Sequence, residues 1–123
     1  MIGYTTIGTN DLDRAVKFYD ELFTHFNATK PIQMDRFIAW SLGDGGGLFG
    51  IIKPFNEEEA TPGNGNMVAL RAKSQADVDA LYKKALELGG TDEGAPGMRN
   101  DVAYFSYFRD LDGNKICFCH FDM

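Results

Sequence analysis

Cysteine is nearly absent, tryptophan occurs once and proline four times in a chain of 123 residues. Two cysteines exclude a disulfide framework. Basic residues are also scarce, with twelve Lys and Arg against eighteen Asp and Glu, a net charge of −6. That balance supplies no basic patch to neutralise phosphates, so nucleic acid and anionic membranes are excluded as partners. No apolar run reaches membrane-spanning length, and the N-terminus lacks a charged-then-apolar leader pattern. A cytoplasmic protein is the expectation. No Gly-x-Ser-x-Gly elbow occurs. The glycine-rich stretch Gly43–Gly47 lacks the lysine and following helix of a phosphate loop, and reads as a hairpin turn.

What the chain does have is ordinary globular material and many rings. Apolar residues make up 44% and charged residues 24%, which excludes wholesale disorder. The length suits one domain over 1–123, able to bury roughly two thirds of its unfolded surface. Ten Phe and five Tyr join the single Trp, more aromatics than a core of this size needs.

Residues 2–9 read as a strand. Asn10 and Asp11 are good N-cap types, and Leu12, Ala15, Val16, Tyr19, Leu22 and Phe23 then recur at helical spacing, predicting a helix from Leu12 to about Thr24. Strands are expected at 30–34, 36–42 and 47–53, followed by a polar, Gly- and Pro-bearing linker at 56–65. The order then repeats. Residues 66–72 read as a strand, Ser74 caps a helix carrying Val78, Leu81, Ala85 and Leu88, and Gly89-Gly90 ends it. Strands follow at 91–96, 102–109 and 115–121, the last two joined by the turn Asp110-Leu111-Asp112-Gly113-Asn114. An offset of 63 residues matches Ile7 with Leu70, Asp11 with Ser74, Ala15 with Val78 and Tyr19 with Tyr82. The repeated unit is therefore βαβββ, module one over 1–55 and module two over 66–123.

Three segments in this order resemble the vicinal oxygen chelate superfamily, which includes glyoxalase I, bleomycin-resistance proteins and extradiol dioxygenases. They are Tyr4 to Tyr19 (YTTIGTNDLDRAVKFY), Asn66 to Ala80, and Arg109 to Ile116 (RDLDGNKI), the last with Leu111 where the family usually has proline. The resemblance implies an α+β fold of two βαβββ modules whose mixed sheets curl into a cup, helices outside. It also implies a homodimer. In the family's metalloenzymes a divalent metal in the cup chelates two substrate oxygens, held by His from the first strand of each module and by Glu from the final strand.

This chain departs from that set. The matching positions hold Tyr4, Met67 and Cys117, and a fourth, used by some members, falls near Phe49–Ile51. Hard and borderline divalent ions want carboxylate and imidazole, which a phenol and a thioether replace poorly. No metal and no other cofactor is therefore expected. His25 reads as a helix-end residue. His120 alternates away from Cys117 and Cys119, which share one face of a strand roughly 6.6 Å apart and read as reduced, buried thiols. The expected ligand-binding residues are Tyr4, Trp40, Met67, Tyr107 and Cys117. The expected function is binding of a small, largely apolar molecule in the sheet cup, similar to bleomycin-resistance proteins. The alternative is a superfamily lyase, isomerase or dioxygenase with an unusual site; the residues leave catalysis open.

Overall fold

The computed structural model of the protein describes residues 1–121. The chain divides into two compact units, Met1–Pro62 and Gly63–Met123. Among the described residues each unit is βαβββ with one four-stranded mixed sheet, so the class is α+β.

In the first unit, β1 (Tyr4–Gly8) leads into α1 (Leu12–Leu22), and β2 (Thr29–Gln33), β3 (Phe37–Ser41) and β4 (Leu48–Ile52) follow. Asp11 stands in extended backbone and its carboxylate accepts the Arg14 N–H at 3.1 Å, which starts the helix. The helix ends two residues earlier than the periodicity predicts, because Phe23–His25 tighten into a single 3-10 turn. The sheet order is β1-β4-β3-β2, with β1 and β4 parallel and the other pairs antiparallel.

Register then assigns the faces. Ile38 pairs with Ile51 and Trp40 with Phe49, and these four lie toward α1. Tyr19, Phe23, Trp40 and Phe49 form one aromatic cluster there, with ring centroids 5.0 to 6.3 Å apart. Such pairs are worth about 0.5–1.5 kcal/mol each beyond the area they bury. Asp20, on α1, accepts Trp40 Nε1–H and Lys30 Nζ–H, both at 3.0 Å. The segment after β4, expected as a free linker from residue 56, is tied back to the first unit. Asn10 accepts the Ala60 N–H at 2.7 Å and donates to the Ala60 carbonyl at 3.1 Å.

The second unit repeats the order with β5 (Val68–Arg71), α2 (Gln75–Glu87), β6 (Thr91–Arg99), β7 (Ala103–Arg109) and β8 (Lys115–His120), arranged β5-β8-β7-β6. Ser74 accepts the Asp77 N–H at 3.0 Å and opens α2. β6 runs three residues past the expected Pro96. It is an edge strand with two register shifts between Asp92 and Gly97, and such a strand tolerates a proline that lacks a ladder donor. Ile116 and Phe118 of β8 lie with Phe108 and Leu70 on the side of Val78, Leu81 and Ala85. The Asp110–Asn114 turn is closed by Asp110, one oxygen accepting the N–H groups of Asp112 and Asn114 at 3.0 and 2.9 Å. Gly113 takes φ of +84°, a value that favours glycine.

Ser106 is fully buried on this helix-covered side, and its hydroxyl has no hydrogen-bond partner among the described residues. Ser106→Ala should therefore leave stability unchanged or raise it by about 1 kcal/mol, read as an upward shift of the denaturation midpoint. A clear loss of stability would show that the hydroxyl is satisfied.

Candidate functional site

Each sheet has one helix-covered face and one that no helix of its own unit covers. In the second unit the latter is built by β8 and its neighbours. Lys115, Cys117 and Cys119 alternate with Ile116, Phe118 and His120, and so turn away from α2. The Cα partner of Cys117 on β7 is Tyr107 and on β5 is Ala69; those of Cys119 are Phe105 and Arg71. Phe105 and Tyr107 stack at 6.0 Å and 26°. Arg99 and Lys115 lie 5.7 and 5.2 Å from the Tyr107 ring centroid. The result is one surface of stacked rings, two thiols and cations.

The expected residues distribute as follows. Tyr107 and Cys117 are brought together as cross-strand partners, Tyr107 half-buried and Cys117 fully buried beneath the rings. Met67 immediately precedes β5, 43% exposed, and alternation continued by one residue sets it on the side of Ala69. Tyr4 begins β1 on the helix-free face of the first sheet, 59% exposed, its ring 5.6 Å from Phe37. Trp40 lies elsewhere. It is 1% exposed inside the aromatic cluster on the α1 side, and its N–H is committed to Asp20. The register also supports the 63-residue offset, because Thr5 pairs with Phe49 as Val68 pairs with Ile116. Tyr4 and Met67 are then equivalent, and Gly50 is the counterpart of Cys117. A side chain at Gly50 would collide with the Phe37 ring.

Arg71, Arg99, Lys115, Phe105 and Cys119 were not anticipated as site residues. Counting two residues from Cys117 and Tyr107 would have found Lys115, Cys119 and Phe105. Arg71 and Arg99 needed the parallel pairing of β5 and the bulged pairing of β6. Two hollows in the first unit lie apart from this surface. One of about 170 Å³ is lined by Asp20, Lys30 and Trp40 among others, and one of about 460 Å³ by Asp35, Arg36, Lys53 and Glu57–Glu59. The first is shaped by the Asp20 bonds already described, and the second carries charges of both signs.

The two thiols are free and buried. Cys117 Sγ lies 3.5 Å from the Phe118 carbonyl oxygen and Cys119 Sγ 3.7 Å from that of Leu70. The neighbouring thiol, with Arg71 and His120, draws Cys119 below the usual thiol range; the same neighbour and burial hold Cys117 above it. Burial raises the Tyr107 phenol, and the neighbouring thiols raise it further, against the opposing pull of Arg99. His120 lies on the helix-covered side, with Nδ1 3.1 Å from the Ala72 carbonyl oxygen.

Metal-holding capacity was tested on the donors themselves. Tyr4, Met67 and Cys117 offer a phenol, a thioether and a thiol, with no carboxylate or imidazole. Among the described residues no group of three His, Cys, Asp or Glu side chains is placed to hold an ion. The donor set does not fit a hard or borderline divalent metal. Among the described residues no helix is long and apolar enough to cross a membrane.

The sequence pattern of the Glyoxalase/Bleomycin resistance protein/Dioxygenase superfamily matches residues 1–118. The crystal structure of a glyoxalase/bleomycin resistance protein from Albidiferax ferrireducens is 36% identical and superposes with a TM-score of 0.90 over 99% of each chain. A lactoylglutathione lyase from Agrobacterium tumefaciens is 18% identical, with a TM-score of 0.73 over 98% of this chain and 92% of its own. A fosfomycin resistance protein from Mesorhizobium loti is 20% identical, with a TM-score of 0.71 over 100% and 92%. The last two likenesses are of fold alone. Among curated proteins none matches.

Tyr82 and Tyr104 are raised like Tyr107, Tyr82 first by burial and Tyr104 first by its hydrogen bond to Asp79. In each case folding favours the neutral phenol. The associated stability is complete below the unfolded value near 10.0 and is lost as pH rises through the higher folded-state values. In an absorbance titration of phenolate, Tyr107→Phe should remove one tyrosine from the high-pH group. A high-pH group of unchanged size in that variant would mean Tyr107 is not in this setting.

Proposed function

The chain belongs to the glyoxalase/bleomycin resistance protein/dioxygenase superfamily, and from that premise we propose that it binds a small, largely apolar molecule without a metal. The binding residues are Tyr107 and Cys117 on the helix-free face of the second sheet, with Met67 at its margin. Tyr4 is their counterpart on the equivalent face of the first sheet. One observation carries the reading: the Phe105–Tyr107 stack beside the thiol pair, on a sheet face that the unit's own helix leaves uncovered. Flat, polarisable surface with few fixed hydrogen-bonding groups suits a planar ligand better than a sugar. Two free thiols accord with a reducing, cytoplasmic setting.

Assembly as a two-fold homodimer is part of the same proposal. Ile2, Tyr4, Met67, Met98 and Val102 are 43 to 72% exposed, and apolar groups left open in this number favour a covering partner. Light scattering at micromolar concentration should give about twice the 13.7 kDa chain mass; a mass of one chain would overturn the dimer.

Binding and metal are tested together. After purification without an affinity tag, elemental analysis should find well under one equivalent of iron, nickel or zinc per chain. Titration with 2-naphthol should give saturable binding that Tyr107→Ala weakens at least tenfold with circular dichroism unchanged. Trp40→Phe should not weaken it, because Trp40 lies beneath α1 in the core of the first unit. A full equivalent of bound metal removed together with ligand binding by chelation would overturn the metal-free reading.

A further inference from the structure

The charge on the helix-free face of the second sheet runs against that of the chain. The protein is acidic overall, at −6, yet strand alternation sets Arg71, Arg99, Arg109 and Lys115 on this one face. Arg109 is neutralised by Glu93 at 3.0 Å. Arg71, Arg99 and Lys115 make no ion pair among the described residues; their partners there are rings and carbonyls. Arg71 lies over Phe121 at 4.1 Å. The Arg99 guanidinium donates to the Ala95 carbonyl at 2.7 Å, which anchors it across the bulged strand and leaves its charge unbalanced.

Arg99 and Lys115 converge on the same Tyr107 ring, both within 6 Å of its centroid. Two like charges gathered at one ring repel each other. The quadrupole of the ring offsets part of this, but it is a weak substitute for a counter-charge. Both side chains are partly exposed, so an added group can reach them from solvent. An anion placed between them would convert the repulsion into two charge-assisted hydrogen bonds.

We propose that the ligand of this face is a planar aromatic carboxylate, its ring lying on the Phe105–Tyr107 stack and its carboxylate held between Arg99 and Lys115. This rests on the small-molecule reading above and adds to it the sign and position of the ligand's charge. The apolar rings and buried thiols beside the two cations favour a carboxylate on an apolar body over a bare inorganic anion.

The test compares 2-naphthoate with its neutral isostere 2-naphthamide and with inorganic phosphate, by calorimetric titration of the full chain. Naphthoate is expected to bind at least tenfold more tightly than naphthamide and than phosphate. The Arg99→Gln/Lys115→Gln variant should abolish that preference while leaving naphthamide binding unchanged. Raising salt in the unmodified protein should weaken naphthoate and leave naphthamide unchanged, a measurement independent of whether the variant folds. Equal affinity for naphthoate and naphthamide, with both lost in Tyr107→Ala, would overturn the anionic preference and leave the small-molecule reading standing. Phosphate binding as tightly as naphthoate would overturn the aromatic class. Failure of both naphthyl probes to bind would overturn this inference and the reading beneath it.

Discussion

The two-residue period of a β-strand, set against a single helix per sheet, is the constraint on which the rest of this protein depends. One helix can cover one face, so every strand sorts its residues into those beneath the helix and those left for something else. On β8 the sorting is plain: Ile116 and Phe118 pack toward α2, while Cys117 and Cys119 face away with Tyr107 and Phe105 as cross-strand partners. A one-residue slip of β8 would turn Lys115 and both thiols against α2 and turn Ile116 and Phe118 away from it. The turn before it guards against that slip, because Asp110 holds the N–H groups of Asp112 and Asn114 and fixes where the strand begins.

The same sorting would let the scaffold carry Tyr, Met and Cys at the positions where the resemblance implies metal donors. Positions on the helix-free face contribute little to the helix-packed core, so His or Glu can be exchanged there for Tyr, Met or Cys without disturbing Val78, Leu81 or Phe108 beneath the helix. Losing three hard or borderline donors removes the negative charge and imidazole nitrogens that offset dehydration of a divalent ion. What replaces them is softer and less charged. Beside it stand Arg99 and Lys115, whose positive charge would oppose a bound cation.

Most of the fold is legible in the sequence because it is written locally. Asp11 and Ser74 announce their helices through a side-chain oxygen and the spacing that follows, and the structure places both as N-caps. The doubled βαβββ order is legible through the 63-residue offset, which strand pairing independently supports at Thr5 and Val68. The face of Trp40 is not legible. In Phe37-Ile38-Ala39-Trp40-Ser41 each alternating set carries a large aromatic ring, so the pattern does not say which set lies under α1; Asp20 and Tyr19, far off in sequence, decide it. Arg99 is hidden for a related reason. The register shifts in β6 change which residue meets which, and no local rule counts through a bulge.

The two halves show how one repeated unit comes to hold unlike surfaces. At equivalent positions the first unit has Gly50 and the second Cys117. With no side chain at 50, the Phe37 ring lies over the strand and meets Tyr4, filling that part of the first face with its own aromatics. At 117 a thiol occupies the strand itself, and the neighbouring rings stack on each other beside it. The first face is therefore self-filled and nearly uncharged at its centre, whereas the second gathers thiols, a phenol and unneutralised cations. The repeated unit supplies the frame, and a handful of residue differences on its helix-free face is enough to concentrate the distinctive chemistry in one of its copies.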